Sequence, residues 1–75
     1  MDYNSPIPIA AAFVARYKDY RKALAEGDGF GQCRSIGAMK LHKERLCTVF
    51  GFNEAQIQML VARAQQEIDE GKEKG

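Results

Sequence analysis

The sequence lacks a segment that would cross or reach a membrane. None of its apolar runs approaches the roughly 20 residues that a bilayer-spanning helix requires. The first 20 residues, MDYNSPIPIAAAFVARYKDY, start with an acidic side chain and two early prolines, and their short apolar run has no basic leader. They do not resemble a secretory signal. We therefore expect a cytoplasmic protein with no membrane role.

Cysteine and histidine are also scarce. Cys33 and Cys47 are the two cysteines, and His42 is the single histidine. On one continuous helix the cysteines would stand about 21 Å apart along the axis, whereas a disulfide needs Cα atoms within about 7 Å of each other. His42 does not complete a metal site at this spacing. We expect two reduced, buried cysteines, no metal and no cofactor.

The chain has no strong net charge and no recognisable catalytic set. Eleven basic and ten acidic residues give +1 overall. Residues 1–52 hold eight basic and five acidic groups (+3), and residues 53–75 hold three and five (−2). The histidine has no nucleophile in a known motif, and the last carboxylates are expected on a solvated helix end. We expect a protein that is not an enzyme.

Three amphipathic stretches are present, and they predict an all-α fold. The fold is a small three-helix bundle in a single domain over residues 1–75. Its helices are expected at about 8–26, 32–50 and 54–71, with an extended arm at 1–7 and a frayed tail at 72–75. The predicted core is Ile9, Phe13, Tyr17, Tyr20, Leu24, Ile36, Met39, Leu46, Cys47, Phe50, Ile57, Leu60, Val61, Ala64 and Ile68.

Glycines mark the weaker points of the pattern. The run GDGFG at 27–31 predicts a turn between the first two helices, with Phe30 anchored in the core. Gly37 lies inside the second helix, where glycine costs about 1 kcal/mol relative to alanine. Lys43 also interrupts the apolar face of that helix. Either Lys43 extends to solvent at the rim of the core, or the helix breaks near Gly37.

A tight corner is predicted between the second and third helices. Gly51 ends one helix, and Asn53 is a good N-cap for the next. Gln56 follows three residues later, at capping-box spacing, and Phe52 can pack back on Ile57.

The stretch LCTVFGFNEAQIQMLV, residues 46–61, resembles the helix-turn-helix of repressor-type DNA-binding proteins. Cys47 occupies the small position, Gly51 the turn and Asn53 the cap, while Ile57 and Leu60 match buried positions of the second helix. The resemblance implies a transcriptional regulator whose second helix reads base edges. The outward side chains of that helix are Glu54, Ala55, Gln58, Met59, Ala62 and Arg63, of which one is basic.

Basic side chains on the first two helices are the candidates for nucleic-acid contact. If they lay side by side they would form a patch able to grip a phosphate backbone. The alternative is a solvated face in a nearly neutral protein. The candidates are Arg16, Lys18, Arg21, Lys22, Lys40, Lys43 and Arg45.

A thin outward line on the third helix favours protein binding instead. Met59 lies between Ala55 and Ala62, an arrangement that gives a flat, adaptable contact surface. With Arg63 and Gln66 it forms the predicted partner-binding site. The leading hypothesis is a non-enzymatic adaptor or inhibitor, of a kind also encoded by phages and mobile elements. It would dock on a larger protein or form a homodimer, and a helix-turn-helix regulator is the alternative.

Overall fold

The fold is all-α, as the sequence predicts. The computed structural model describes the backbone of residues 5–74 and the side chains of residues 5–71. Its helices are α1 (Ile7–Glu26), α2 (Gly29–Phe50) and α3 (Glu54–Lys74), and no strand occurs in that part of the chain. The helix α1 starts one residue before the predicted position, and residues 1–4 of the predicted arm lie outside the described residues. Residues 72–74 continue α3, three residues past its predicted end.

The connection between α1 and α2 is shorter than predicted. Gly27 caps α1 in the left-handed conformation with φ of 71°. The Asp28 carboxylate then accepts a hydrogen bond from the backbone N–H of Gly31 at 3.0 Å, so α2 begins at Gly29. The prediction of a glycine-rich loop with a buried Phe30 is wrong. Phe30 lies on the first turn of α2 and is 88% exposed.

The helix α2 runs unbroken through Gly37, so of the two alternatives the break near this residue is wrong. Lys43 is exposed, consistent with a lysine at the edge of the apolar face. Both cysteines are free and lie on this one helix. Cys47 is half-buried, but the predicted burial of Cys33 is wrong because its side chain points to solvent.

The corner between α2 and α3 has the predicted local structure. Gly51 is left-handed, with φ of 69°. The Asn53 N–H donates to Gln56 Oε1, and the Gln56 N–H donates to Asn53 Oδ1, both at 2.9 Å. These reciprocal bonds are the predicted capping box, and Phe52 packs against the cluster that contains Ile57.

The core is concentrated beside this corner. One buried residue from each helix meets there, namely Phe13, Leu46 and Ile57. The helix α1 packs closely along both α2 and α3, whereas the backbones of α2 and α3 approach each other at few positions among the described residues. Away from the corner two predicted core residues are therefore uncovered: Leu24 is 45% and Ile36 47% exposed. Three unpredicted side chains are buried, those of Val14, Ala23 and Ser35.

Candidate protein-binding groove

The groove lies between α2 and α3, which pack against different sides of α1. Ala23 faces α2: a Cβ built on Gly31 of α2 would lie 3.0 Å from the Cβ of Ala23. Val14 faces α3, in a shallow pocket shared with Arg63 and Glu67. At 100° per residue, Ala23 and Val14 point about 180° apart around α1. The face of α1 between them is left to floor the space that separates α2 from α3.

An apolar stripe of α1 lies on that face, and its Phe13 and Tyr17 form the floor of the groove. Phe13, Tyr17, Tyr20 and Leu24 lie within about 60° of one another at helical pitch. Phe13 is buried near the corner, the two tyrosines are half-buried, and Leu24 is exposed. The tyrosine rings are 6.3 Å apart between centroids and tilted by 54°, a separation within the favourable range for aromatic pairs. The stripe is thus progressively uncovered with distance from the corner.

The walls of the groove come from α2 and α3. Its mouth opens to solvent, and its volume is about 350 Å³. Most of the lining is apolar, with polar groups at the edges. The lining residues are Phe13, Tyr17, Ile36, Met39, Lys40, Lys43, Ile57, Gln58 and Val61.

Two lysines give one rim of the groove a positive charge. Lys40 and Lys43 are both exposed and line its α2 side. The ion pairs within residues 5–71 use other cations, so no carboxylate described there neutralises either lysine. The opposite rim on α3 presents the neutral Gln58. The groove therefore combines an apolar interior with an uncompensated cationic edge.

The predicted line on α3 is exposed but offers little apolar surface. Met59 is 71% exposed and is the one large apolar side chain on it. Arg63 donates to Glu67 at 3.2 Å, and the Gln66 side chain donates to Glu70 at 3.3 Å. Ala55 and Ala62 are also exposed. None of the five predicted residues lines the groove.

The α1 residues among the predicted nucleic-acid candidates are spread over separate surfaces. Arg16 pairs with Asp19 at 3.1 Å. Lys18 donates to the Glu67 carboxylate at 2.8 Å and so ties α1 to α3. Arg21 and Lys22 are exposed beside Lys18. None of these four lines the groove.

The remaining α2 candidate, Arg45, lies on neither the groove nor the α1 surfaces. It borders a shallow depression with Leu41 and Val49. A further pocket between α1 and α2 mixes charges of both signs, including Glu26 and Arg34. The structure therefore brings Lys40 and Lys43 together on the groove and leaves the other candidates apart from them.

Two signals in the sequence pointed to the groove. The first is Lys43 within the apolar arc of α2, which marks a face that is not fully enclosed. The second is the length of the stripe on α1, which extends over more turns than the α2–α3 corner can cover. Which helix would leave the stripe open depends on tertiary packing and could not be read from either signal.

Neither a search for metal-ligand groups and membrane-spanning helices nor a comparison with known proteins assigns a function to the groove. In the described part of the chain, no three His, Cys, Asp or Glu side chains are grouped as metal ligands would be. No helix described there has the length and apolar character needed to span a bilayer. No protein-family model, curated protein or solved structure matches the chain.

Proposed function

We propose that this protein is a non-enzymatic, cytosolic interaction module that docks on a larger protein by accepting one of its helices in the α2–α3 groove. The observation that supports this most directly is the solvent-open apolar groove with Lys40 and Lys43 on its rim. A chain of this size has little apolar surface to spare for its own stability, so leaving aromatic and aliphatic side chains uncovered favours a binding role.

The shape of the groove favours a helical occupant. Phe13 and Tyr17 form its floor, and the apolar stripe to which they belong continues along α1 to Leu24, about 16 Å or three helical turns from Phe13. Amphipathic helices bind such grooves by laying an apolar face into them, with contacts at positions i, i+3 or i+4, and i+7. A partner helix would pack against α1 from below and against α2 and α3 from the sides. It would complete the bundle as a fourth helix.

The charge of the groove favours an acidic partner. Lys40 and Lys43 would face one flank of the bound helix, and carboxylates on that flank would pair with them. Such rim pairs contribute more to selectivity and association rate than to affinity. The proposed partner is therefore a segment with leucine-like residues on one face and Asp or Glu beside them.

The proposal is tested with two synthetic amphipathic peptides of about 14 residues. Both carry leucines on one face, and the flanks are glutamate in one peptide and lysine in the other. We expect the acidic peptide to bind at least tenfold more tightly in a fluorescence titration. It should shift the backbone NMR signals of Tyr17, Met39 and Val61.

Matched variants separate the groove from the other exposed surfaces. Ile36→Glu should abolish binding of the acidic peptide, and Lys40→Glu with Lys43→Glu should reverse the preference between the two peptides. Met59→Glu is the control on the predicted α3 line and should leave binding unchanged. Loss of binding with Met59→Glu alone would move the site to α3, and absence of binding by either peptide would overturn the groove.

A helix-turn-helix DNA binder is the second candidate. The corner supports it, because Gly51, Asn53 and Gln56 adopt the capped turn that the motif requires. The acidic residues along α3 oppose it, since phosphate neutralisation supplies most non-specific affinity. Duplex binding that weakens steeply with salt, and that falls with Lys40→Glu or Arg45→Glu, would place this function first. If the groove proposal is correct, proteins that co-purify with the chain should stay bound to it after nuclease treatment.

A further inference from the structure

The outer face of α2 carries a second, unrelated pattern. Six residues form a stripe along it, called here the seam, at alternating spacings of four and three, the spacing of facing positions in a helix pair; two of the six are large and apolar. All six lie within about 80° of one another and opposite the buried Leu46 at helical pitch. The six are Phe30, Arg34, Gly37, Leu41, Glu44 and Thr48.

The fold of one chain does not account for this face. Phe30 is 88% and Leu41 69% exposed, although both are large and apolar. Gly37 weakens the helix relative to alanine, yet a Cβ placed on it would meet nothing within 4 Å. Among residues 5–71, no close approach therefore requires a glycine at this position.

The charges on the same face are also unpartnered within the described residues. The ion pairs found among residues 5–71 do not include Arg34 or Glu44. They lie on the same face, with Gly37 and Leu41 between them along the seam. Opposite charges placed symmetrically about a centre favour pairing with an inverted copy of the same surface.

We propose that two copies of this chain associate through the outer faces of α2, antiparallel and about a two-fold axis level with Met39. This arrangement places Leu41 of one protomer over Gly37 of its partner, where the missing side chain leaves room for it. It sets Arg34 opposite Glu44 twice, once on each side of the axis. The interface is self-complementary, as a two-fold dimer requires.

The same register places a shallow depression of the partner opposite each exposed Phe30 ring. It places the ring opposite Thr48 of the other protomer, over a shallow depression of about 300 Å³. Leu41, Glu44, Arg45, Thr48 and Val49 line that depression. Because this face points away from the α2–α3 groove, a dimer would leave both grooves open for their partner.

Sedimentation equilibrium across a wide concentration range tests the dimer. The wild-type chain should dimerise, and Arg34→Glu or Glu44→Arg should each raise the dissociation constant at least tenfold through like-charge contacts. The double variant R34E/E44R should restore it to within about threefold of wild type. Failure of this rescue, or a wild-type chain that stays monomeric at millimolar concentration, would overturn the proposal.

Two further variants distinguish the dimer from a general change in folding and from the groove. Gly37→Ala should raise the melting temperature of the dilute monomer, because alanine favours helix, while weakening the dimer at least tenfold by filling the space for Leu41. Lys43→Glu, on the groove side of α2, should leave the dimer unchanged. A Gly37→Ala chain that dimerises as well as wild type would contradict the antiparallel register.

Discussion

The two ends of the bundle differ in how completely they are enclosed. At the corner, Leu46 is fully buried between Phe13 and Ile57. Three turns earlier on α2, Ile36 is 47% exposed although it belongs to the same apolar stripe. The two helices α2 and α3 are joined at the corner, but elsewhere each packs mainly against α1, so the apolar stripes are less covered away from the corner. The closed end encloses the core, and the open end leaves apolar side chains such as Ile36 exposed to solvent.

The largest expected effect comes from truncating the closed end. Leu46→Ala should lower the free energy of unfolding by about 2–5 kcal/mol, because it leaves a cavity in a fully enclosed site. The core of so short a chain rarely supplies more than about 3–5 kcal/mol, so this variant should be close to unfolding at room temperature. Urea denaturation followed by circular dichroism measures the change.

The matched variant at the open end should behave differently. Ile36→Ala removes a side chain that is already half in water and replaces it with a better helix former, so we expect a loss of about 1 kcal/mol or less. Equal losses for Leu46→Ala and Ile36→Ala would contradict the division between a closed and an open end.

Features that depend on residues close together in the sequence could be predicted, whereas features that depend on tertiary packing could not. The caps at Gly51 and Asn53 depend on residues within a few positions, and they were predicted correctly. The predicted start of α2 was too late because the three glycines were given more weight than Asp28, a residue type that favours the N-cap position. The wrong prediction that Phe30 is buried followed from the same error.

The candidate site lay beyond such local signals. An amphipathic stripe shows which side of a helix is apolar, but it does not show how much of that side another helix covers. Leu24 and Ile36 were therefore assigned to the core together with Leu46. The exposed line on α3 was predicted because Met59 and its neighbours lie opposite the stripe of a single helix. The groove requires the positions of three helices at once.

An intermediate effect is expected at the corner that closes one end. Asn53→Ala removes the acceptor for the Gln56 N–H and should cost about 1 kcal/mol, the usual value for an N-cap. Gln58→Ala, on the exposed rim of the same helix, should stay within about 0.5 kcal/mol of wild type. Thermal unfolding of the two variants under identical conditions gives the comparison. A cap variant as stable as the rim variant would mean that the corner is held by packing of Phe52 and Ile57 alone.

The smallest effect concerns the tie that joins α1 to α3 far from the corner. The hydrogen bond from Lys18 to Glu67, with a smaller contribution from Arg63, lowers the pKa of Glu67. A carboxyl group whose pKa is lower in the folded than in the unfolded chain stabilises the fold above its unfolded pKa, near 4.3 for glutamate. That stabilisation is lost as the pH falls through the lower, folded pKa.

Glu67→Gln should therefore have a lower free energy of unfolding than the wild type at pH 7. The difference between the two free energies should decrease to zero as the pH falls below about 4. Glu70→Gln is the control, because it removes the same charge one helical turn away, where no ion pair forms within residues 5–71. Its free energy of unfolding should differ less from that of the wild type. Because the Lys18–Glu67 pair is partly exposed, salt should shrink the Glu67→Gln effect. If the difference in free energy of unfolding did not depend on pH or salt, α3 would be held to α1 by apolar packing, with no help from the ion pair.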